Sequence, residues 1–375
     1  MHIMSLNPRR FARFRTVVMT LLAGFTMGGA PAQQPPRPPN PIVVDADGTV
    51  HVPAQAVPVS EFLSPEGKAY LREHLQQVQR PEMLVQKDGV PPLLAGYLAR
   101  QRQMYAVDRE DTHIAGVHAF VYTPKAGITG RNSHRVLIDL HGGGFSGCWP
   151  GCAELESIPV AALARIRVIS LDYRESPEYH FPAASEDVAS VYQELLKTYD
   201  ARSIGIYGCS AGGMLTGESV AWILQHKLPR PGAIAILCAG LTAPEAAFGG
   251  DANYITTAIG EARSMTPPPT APRASGAKAP DMSYFAGADM HDPLLAPARS
   301  PKLLARFPPS LIVTGTRGFE LSSAVYSHSL LVKAGAQSDL HVWEGMFHGF
   351  FYNVDVPESR DCFNVIVHFF DSKLK

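Results

Sequence analysis

What this 375-residue chain lacks narrows it first. An excess of one charge is missing: 33 Lys and Arg face 34 Asp and Glu, a formal net charge of −1. No basic stripe or aromatic-interleaved basic run breaks that balance, so a nucleic-acid partner has no support. There are only five cysteines, and no His/Cys spacing suits a metal centre. Neither a metal nor a cofactor is called for. Internal repeats are absent. Beyond the N-terminus no apolar run is long enough to span a bilayer. What remains is ordinary globular composition, 46% hydrophobic and 18% charged, at a length that suits one elaborated α/β domain or two ordinary ones.

Residues 1–32 read as a removable signal peptide. Arg9, Arg10, Arg13 and Arg15 form a positive start, and "TVVMTLLAGFTMGGA" supplies an apolar core too short for a comfortable anchor. Ala30-Pro31-Ala32 is a small-x-small cleavage pattern with Gln33 as the mature start. The residues after Arg9-Arg10 fit a twin-arginine signal only loosely, which favours the general secretory route to the periplasm or the exterior. No stable membrane span is expected after cleavage. In such a compartment Cys148 and Cys152, in "SGCWPGCAE", either close a local disulfide or remain two thiols. The oligomeric state is not legible.

"PAQQPPRPPNP" (31–41) is a proline-rich linker, and residues 60–110 carry helical periodicity with Ser64 as an N-cap before Pro65. From about 113, short Val- and Ile-rich runs alternate with helical stretches: "RVLIDL" (135–140), "RVISLD" (167–172), "SIGIYG" (203–208), "AIAILC" (233–238), "SLIVTG" (310–315) and "DLHVW" (339–343). Helices are expected at about 153–165, 183–199, 211–226 and 320–335. Doubly buried strands alternating with helices predict an α/β protein with a mainly parallel sheet covered on both faces. Residues 241–300, with "TPPPTAPRASGAKAP", interrupt the rhythm like an insertion.

The chemistry centres on "YGCSAGG" (207–213), a G-x-S-x-G between a predicted strand and a predicted helix. Gly208 and Gly212 allow a cramped turn that exposes Ser210 at its apex. A serine hydroxyl needs a base, and His348 in "EGMFHGFF", on the loop after the last strand, is the candidate. Attack on an acyl carbonyl creates an oxyanion, which needs preorganised donors. "HGGGF" (141–145) places backbone amides without Cβ in the way, so Gly143 and Gly144, joined by Ala211, are the expected donors. His141 is expected to anchor this loop rather than to move protons.

"HGGGF", "DYRESPEYHFPAASEDV", "GCSAGG" and "EGMFHGF", in this order and spacing, resemble the hormone-sensitive-lipase-like esterases, the HGGG-type α/β-hydrolases. The resemblance covers about 113–375. It implies the α/β-hydrolase fold, with a helical cap drawn from residues 33–112 (linker and N-terminal helices) and from an insertion at about 241–295. It also implies that the 172–184 segment braces the oxyanion loop, with Asp172 and Arg174 structural, and that the substrate is a small carboxylic ester or lactone. Two departures stand out. Cys209 replaces the aspartate that many relatives carry before the nucleophile, and it is expected to pack quietly. The triad aspartate, expected thirty residues before His348, falls on Gly318. Three accounts stay open: Glu320 substitutes, facing the same side as 318 if the backbone is extended there; the acid is absent; or a carboxylate comes from elsewhere, with Asp292 of "HDPLLAP" a decoy that turns the chain. The expected function is an exported serine hydrolase working through an acyl-enzyme. The alternative is a catalytically impaired hydrolase that binds a small ligand, as the plant gibberellin receptors of this family do.

Overall fold

The computed structural model describes residues 43–51, 56–87, 89–247, 250–260 and 283–375. The signal peptide, the linker at 31–41 and the proline-rich stretch at 266–280 lie outside the described residues. The chain divides into two units, 1–56 and 57–375. In the first, β1 (Val43–Val44) and β2 (Val50–His51) pair antiparallel around a turn in which Asp47 accepts the Thr49 amide at 2.9 Å.

The second unit opens with two helices, α1 (Pro65–Gln77) and α2 (Pro92–Met104). Ser64 caps α1 as expected, its Oγ accepting the Gly67 amide at 2.9 Å. An eight-stranded sheet follows. Its strands and helices are β3 (Val107–Ile114), β4 (Val117–Pro124), β5 (Val136–Leu140), α3 (Gly151–Ala164), β6 (Arg167–Leu171), α4 (Ala183–Leu195), β7 (Ile204–Cys209), α5 (Ala211–Gln225), β8 (Ala233–Leu237), α6 (Pro244–Ala247), α7 (Asp251–Ala258), α8 (Pro301–Leu304), β9 (Ser310–Gly315), α9 (Leu321–Lys333), β10 (Ser338–Trp343) and α10 (Pro357–Lys373). The sheet order is β10-β9-β8-β7-β5-β6-β4-β3. Strands β5 to β10 run parallel, β4 pairs antiparallel with β6, and β3 pairs antiparallel with β4.

Strands β5, β7, β8 and β9 are buried at every position, which their unbroken apolar sequences demand. One face carries side chains from α4, α5 and α9, among them Val188, Leu215 and Leu331. The other carries Tyr70, Leu71, Leu155, Ile158 and Phe363 from α1, α3 and α10. The sheet begins at Val107, ahead of the residue-113 boundary, where helical periodicity was expected. "VDREDTHI" hides this strand because it is an exposed edge whose charges discourage further pairing. The hairpin turns at Ala115 and Gly116, both at positive φ, the backbone that a two-residue turn between twisted strands requires.

After β5 the chain moves outward to β6, then returns through α4 to place β7 on the other side of β5. The carboxyl ends of β5 and β7 therefore diverge at a switch point, where open α/β sheets present their sites. Among the described residues no helix is long and apolar enough to cross a membrane.

Glu218 on α5 is fully buried, and neither carboxylate oxygen has a hydrogen-bond partner among the described residues. Burial pushes this carboxyl well above its usual range. A raised folded-state pKa costs stability as pH climbs past the unfolded carboxyl value, because only the unfolded chain then releases the proton freely. Glu218→Gln should raise the unfolding midpoint by a few degrees at pH 8, a gain on the order of 1 kcal/mol. The gain should vanish near pH 4. Thermal melts at both pH values check this; a gain of equal size at both would contradict it.

Candidate active site

Ser210 sits between β7 and α5 with φ 58° and ψ −119°, a conformation costly for a residue with a side chain. The turn survives because its neighbours have no Cβ. A methyl group on Gly212 would overlap the Leu140 and His141 carbonyls of the β5 end, and one on Gly208 would overlap Leu140 and Gly212. The Ser210 amide donates to the Leu237 carbonyl at 2.9 Å, and its own carbonyl accepts from Met214 at 3.0 Å in the first turn of α5. Cys209 and Ala211 are buried on either side while Ser210 stays partly open.

The glycine loop runs beside this turn. A Cβ on Gly142 would lie 3.5 Å from Ser210 Cβ. Gly143 has φ 131°, which a residue with a side chain rarely adopts, and a Cβ there would overlap the Gly147 carbonyl. The Gly142 amide is engaged, donating to Glu156 Oε1 at 3.0 Å. Among the described residues no acceptor is paired with the amides of Gly143 or Gly144. The Ala211 amide is a first-turn N–H of α5, so it needs no partner within the helix.

The 172–184 segment braces this loop. Tyr173 Oη donates to the His141 carbonyl at 2.6 Å, and the Ser176 amide and Oγ both donate to the Phe145 carbonyl at 2.8 Å. Arg174 pairs with Asp187 and Glu186, and Asp172 with His118 at 2.9 Å, so both stay in the scaffold. His141 is fully buried, donates from Nδ1 to the Gly142 carbonyl at 2.7 Å, and is held neutral, its pKa pushed down to about 4 by burial. A neutral imidazole tied to its own loop is an anchor. Cys148 and Cys152 form a disulfide that joins the loop's exit to the start of α3.

His348 lies on the loop after β10. Its Nδ1 donates to Glu320 Oε2 at 3.0 Å, and Thr314 Oγ1 donates to Glu320 Oε1 at 2.8 Å. Burial alone would raise the Glu320 carboxyl. The charge and hydrogen bond of His348 and the bond from Thr314 outweigh it, leaving the group below its usual range. The carboxylate that meets His348 is that of Glu320, the residue of the first account, though not by the route expected. The backbone is a tight turn rather than a strand: Gly318 N–H donates to the Gly315 carbonyl and Leu321 N–H to that of Gly318. The Glu320 side chain folds back over Gly318, and a Cβ at 318 would lie 2.5 Å from Glu320 Oε1. The carboxylate thus occupies the room beside position 318. Asp292 forms a turn, its Oδ1 accepting the Leu294 amide at 2.9 Å.

The two loops meet on consecutive residues at the end of β8. Leu237 O holds the Ser210 amide, and Cys238 Sγ accepts the Gly349 amide at 3.3 Å. Both the turn that carries Ser210 and the loop that carries His348 are thus anchored at one strand end. Sequence reasoning missed Thr314, Cys238, Glu156 and Phe319, whose ring stacks on His348 at 4.4 Å. Only Glu156 left a signal, an acid inside a helix that is otherwise largely apolar. Near His348, His74 of α1 stacks on Phe347 at 3.5 Å, and at the start of α3 the Gly151 amide donates to the Gly89 carbonyl at 3.1 Å.

A buried carboxylate on an imidazole, a serine on a strained strand-to-helix turn and a glycine loop beside it define the serine-hydrolase type of site on an α/β sheet. The family model of the alpha/beta hydrolase fold matches residues 137–352, more than half of the chain. An acetyl-hydrolase of Streptomyces hygroscopicus is 29% identical over 63% of this chain and 75% of its own length. An acetyl esterase of Salmonella schwarzengrund is 30% identical over 47% of this chain and 59% of its own. Among solved structures, an esterase called E25 superposes with a TM-score of 0.72 at 28% identity, covering 87% of this chain and 99% of that one. The chain belongs to the α/β-hydrolase family.

If Glu320 orients His348, Glu320→Gln should lower kcat by about 10³–10⁴ on a good ester substrate. Gly318→Asp alone should bring no gain, because Glu320 already fills the space. Gly318→Asp combined with Glu320→Ala should recover at least tenfold over Glu320→Gln. Steady-state kinetics of the three variants decide it; full activity in Glu320→Gln would contradict the assignment.

Proposed function

We propose that this protein is an exported serine esterase that hydrolyses carboxylic esters of small substrates, lactones included, through an acyl-enzyme. The observation that carries the proposal is the Thr314–Glu320–His348 relay anchored at the same strand end as Ser210. In this reading Ser210 Oγ attacks the acyl carbon while His348 Nε2 takes its proton. Glu320 holds the Nδ1 proton and stabilises the imidazolium. The carbonyl oxygen gains its negative charge toward the amides of Gly143, Gly144 and Ala211. His348 returns the proton to the departing alcohol, and water activated by the same imidazole releases the acid.

The ester class is supported by the relatives named acetyl-hydrolase and acetyl esterase and by the esterase structure. The ligand-binding alternative drew its weight from the missing aspartate, and a carboxylate beside His348 removes that motive. Export is supported by the basic and apolar pattern of residues 1–32 and by the Cys148–Cys152 disulfide, a bond of oxidising compartments.

A fluorophosphonate probe should label Ser210 and should fail on Ser210→Ala. p-Nitrophenyl acetate should give steady turnover. A native chain that neither labels nor turns over would refute the proposal. Expressed at full length, the chain should be recovered from the periplasmic or culture fraction with Gln33 at its N-terminus. An intact Met1 form confined to the cytoplasm would refute export.

A further inference from the structure

Glu156 is a fully buried acid in the middle of α3, and its carboxylate reaches parts of the site that are remote in sequence. Oε1 accepts the Gly142 amide at 3.0 Å, one residue before the proposed oxyanion donors. Oε2 accepts the Cys209 amide at 2.9 Å, one residue before the nucleophile. Oε1 also accepts from Tyr352 Oη at 2.8 Å, four residues after His348. Its backbone is held as well: Tyr207 Oη donates to the Glu156 carbonyl at 3.1 Å, and the adjacent Ser157 Oγ donates to Asp139 on β5 at 3.0 Å.

We infer that Glu156 is a positioning residue that sets the spacing between the oxyanion loop and the nucleophile turn. This rests on the esterase reading above. An oxyanion donor works only if it points at the place the charged oxygen will occupy, within a few tenths of an ångström. Here the amide preceding the donors and the amide preceding the nucleophile are bonded to the two oxygens of one planar group. Their separation is therefore fixed by a rigid bridge rather than by two independent loops. Burial and the neighbouring Asp139 carboxyl push the Glu156 carboxyl well above its usual range, and its three donor partners, the Gly142 and Cys209 amides and the Tyr352 hydroxyl, oppose that shift. An amide side chain has one acceptor oxygen, and its NH₂ would face an N–H. Cys209 brings no acid of its own to the turn, so Glu156 is the carboxylate that reaches it.

The test uses Glu156→Gln, Glu156→Asp and Tyr352→Phe in the full chain. Three readouts are needed: kcat and KM for p-nitrophenyl acetate, the affinity for a trifluoromethyl ketone that forms a tetrahedral adduct on serine, and the melting temperature. In Glu156→Gln, kcat should fall 30- to 300-fold with KM within threefold, and ketone affinity should fall by the same factor as kcat/KM. Glu156→Asp keeps both acceptor oxygens on a shorter arm and should recover at least fivefold of that loss. Tyr352→Phe removes one bond and leaves both backbone bridges. It should cost three- to tenfold in kcat, with a matching loss of ketone affinity, and it stands as the test if Glu156→Gln fails to fold. The inference is overturned if folded Glu156→Gln keeps kcat within threefold of the native value, or if ketone affinity stays native while kcat falls. Native values of both in Tyr352→Phe would also overturn it. A native chain that turns over no ester and forms no adduct would sink the esterase reading and this inference together. An active native chain with unaffected variants would sink this inference alone.

Discussion

The carbonyl of Leu140, at the end of β5, is crowded by the turn that carries Ser210, and the site is organised around that crowding. Gly208 and Gly212 bring backbone against backbone where any side chain would collide. The turn can then hold Ser210 at φ 58°, with its hydroxyl raised from the sheet and its amide bonded to Leu237. The contact also sets the starting point of the glycine loop, because His141 follows Leu140 directly. The turn carrying Ser210 and the glycine loop are thus neighbours through main chain packed on main chain.

The carboxylate beside His348 shows how a tertiary requirement is met by different local means. What His348 needs is a carboxylate oxygen at hydrogen-bond distance from Nδ1, whatever position supplies it. Gly318 has no side chain, but the turn that follows lets Glu320 fold back into the vacated space. Thr314 then fixes the second oxygen. The cost of a longer arm is entropy, and burial between Thr314 and His348 limits it.

Burial pushes two other carboxyls, those of Glu156 and Glu218, well above the usual range, but their surroundings differ. Glu156 is surrounded by donors from the loops that carry the site and serves as their common tie. Glu218, on the other face of the sheet, has no partner among the described residues and weakens the fold when it ionises. The contrast illustrates that burying a polar group costs least where hydrogen bonds converge on it. The disulfide at Cys148–Cys152 and the bracing contacts of Tyr173 and Ser176 complete the support of the glycine loop.

Much of this was legible in the residues alone. The parallel sheet follows from runs such as "RVLIDL" and "SLIVTG"; the serine turn and glycine loop follow from patterns only a few residues long, whose steric demands are local. The position of His348 follows from its place after the last strand. Edge strand β3 was concealed because an exposed strand carries no apolar alternation. The acid could not be assigned from "TGTRGFELSS", since the choice depends on whether that segment runs extended or turns, and contacts with Thr314, Met346 and His348 make it turn. Whether Cys148 and Cys152 pair, and what Glu156 touches, were equally beyond the sequence. Local sterics are written in neighbouring residues, but which distant groups converge on one atom is decided only when the whole core has packed.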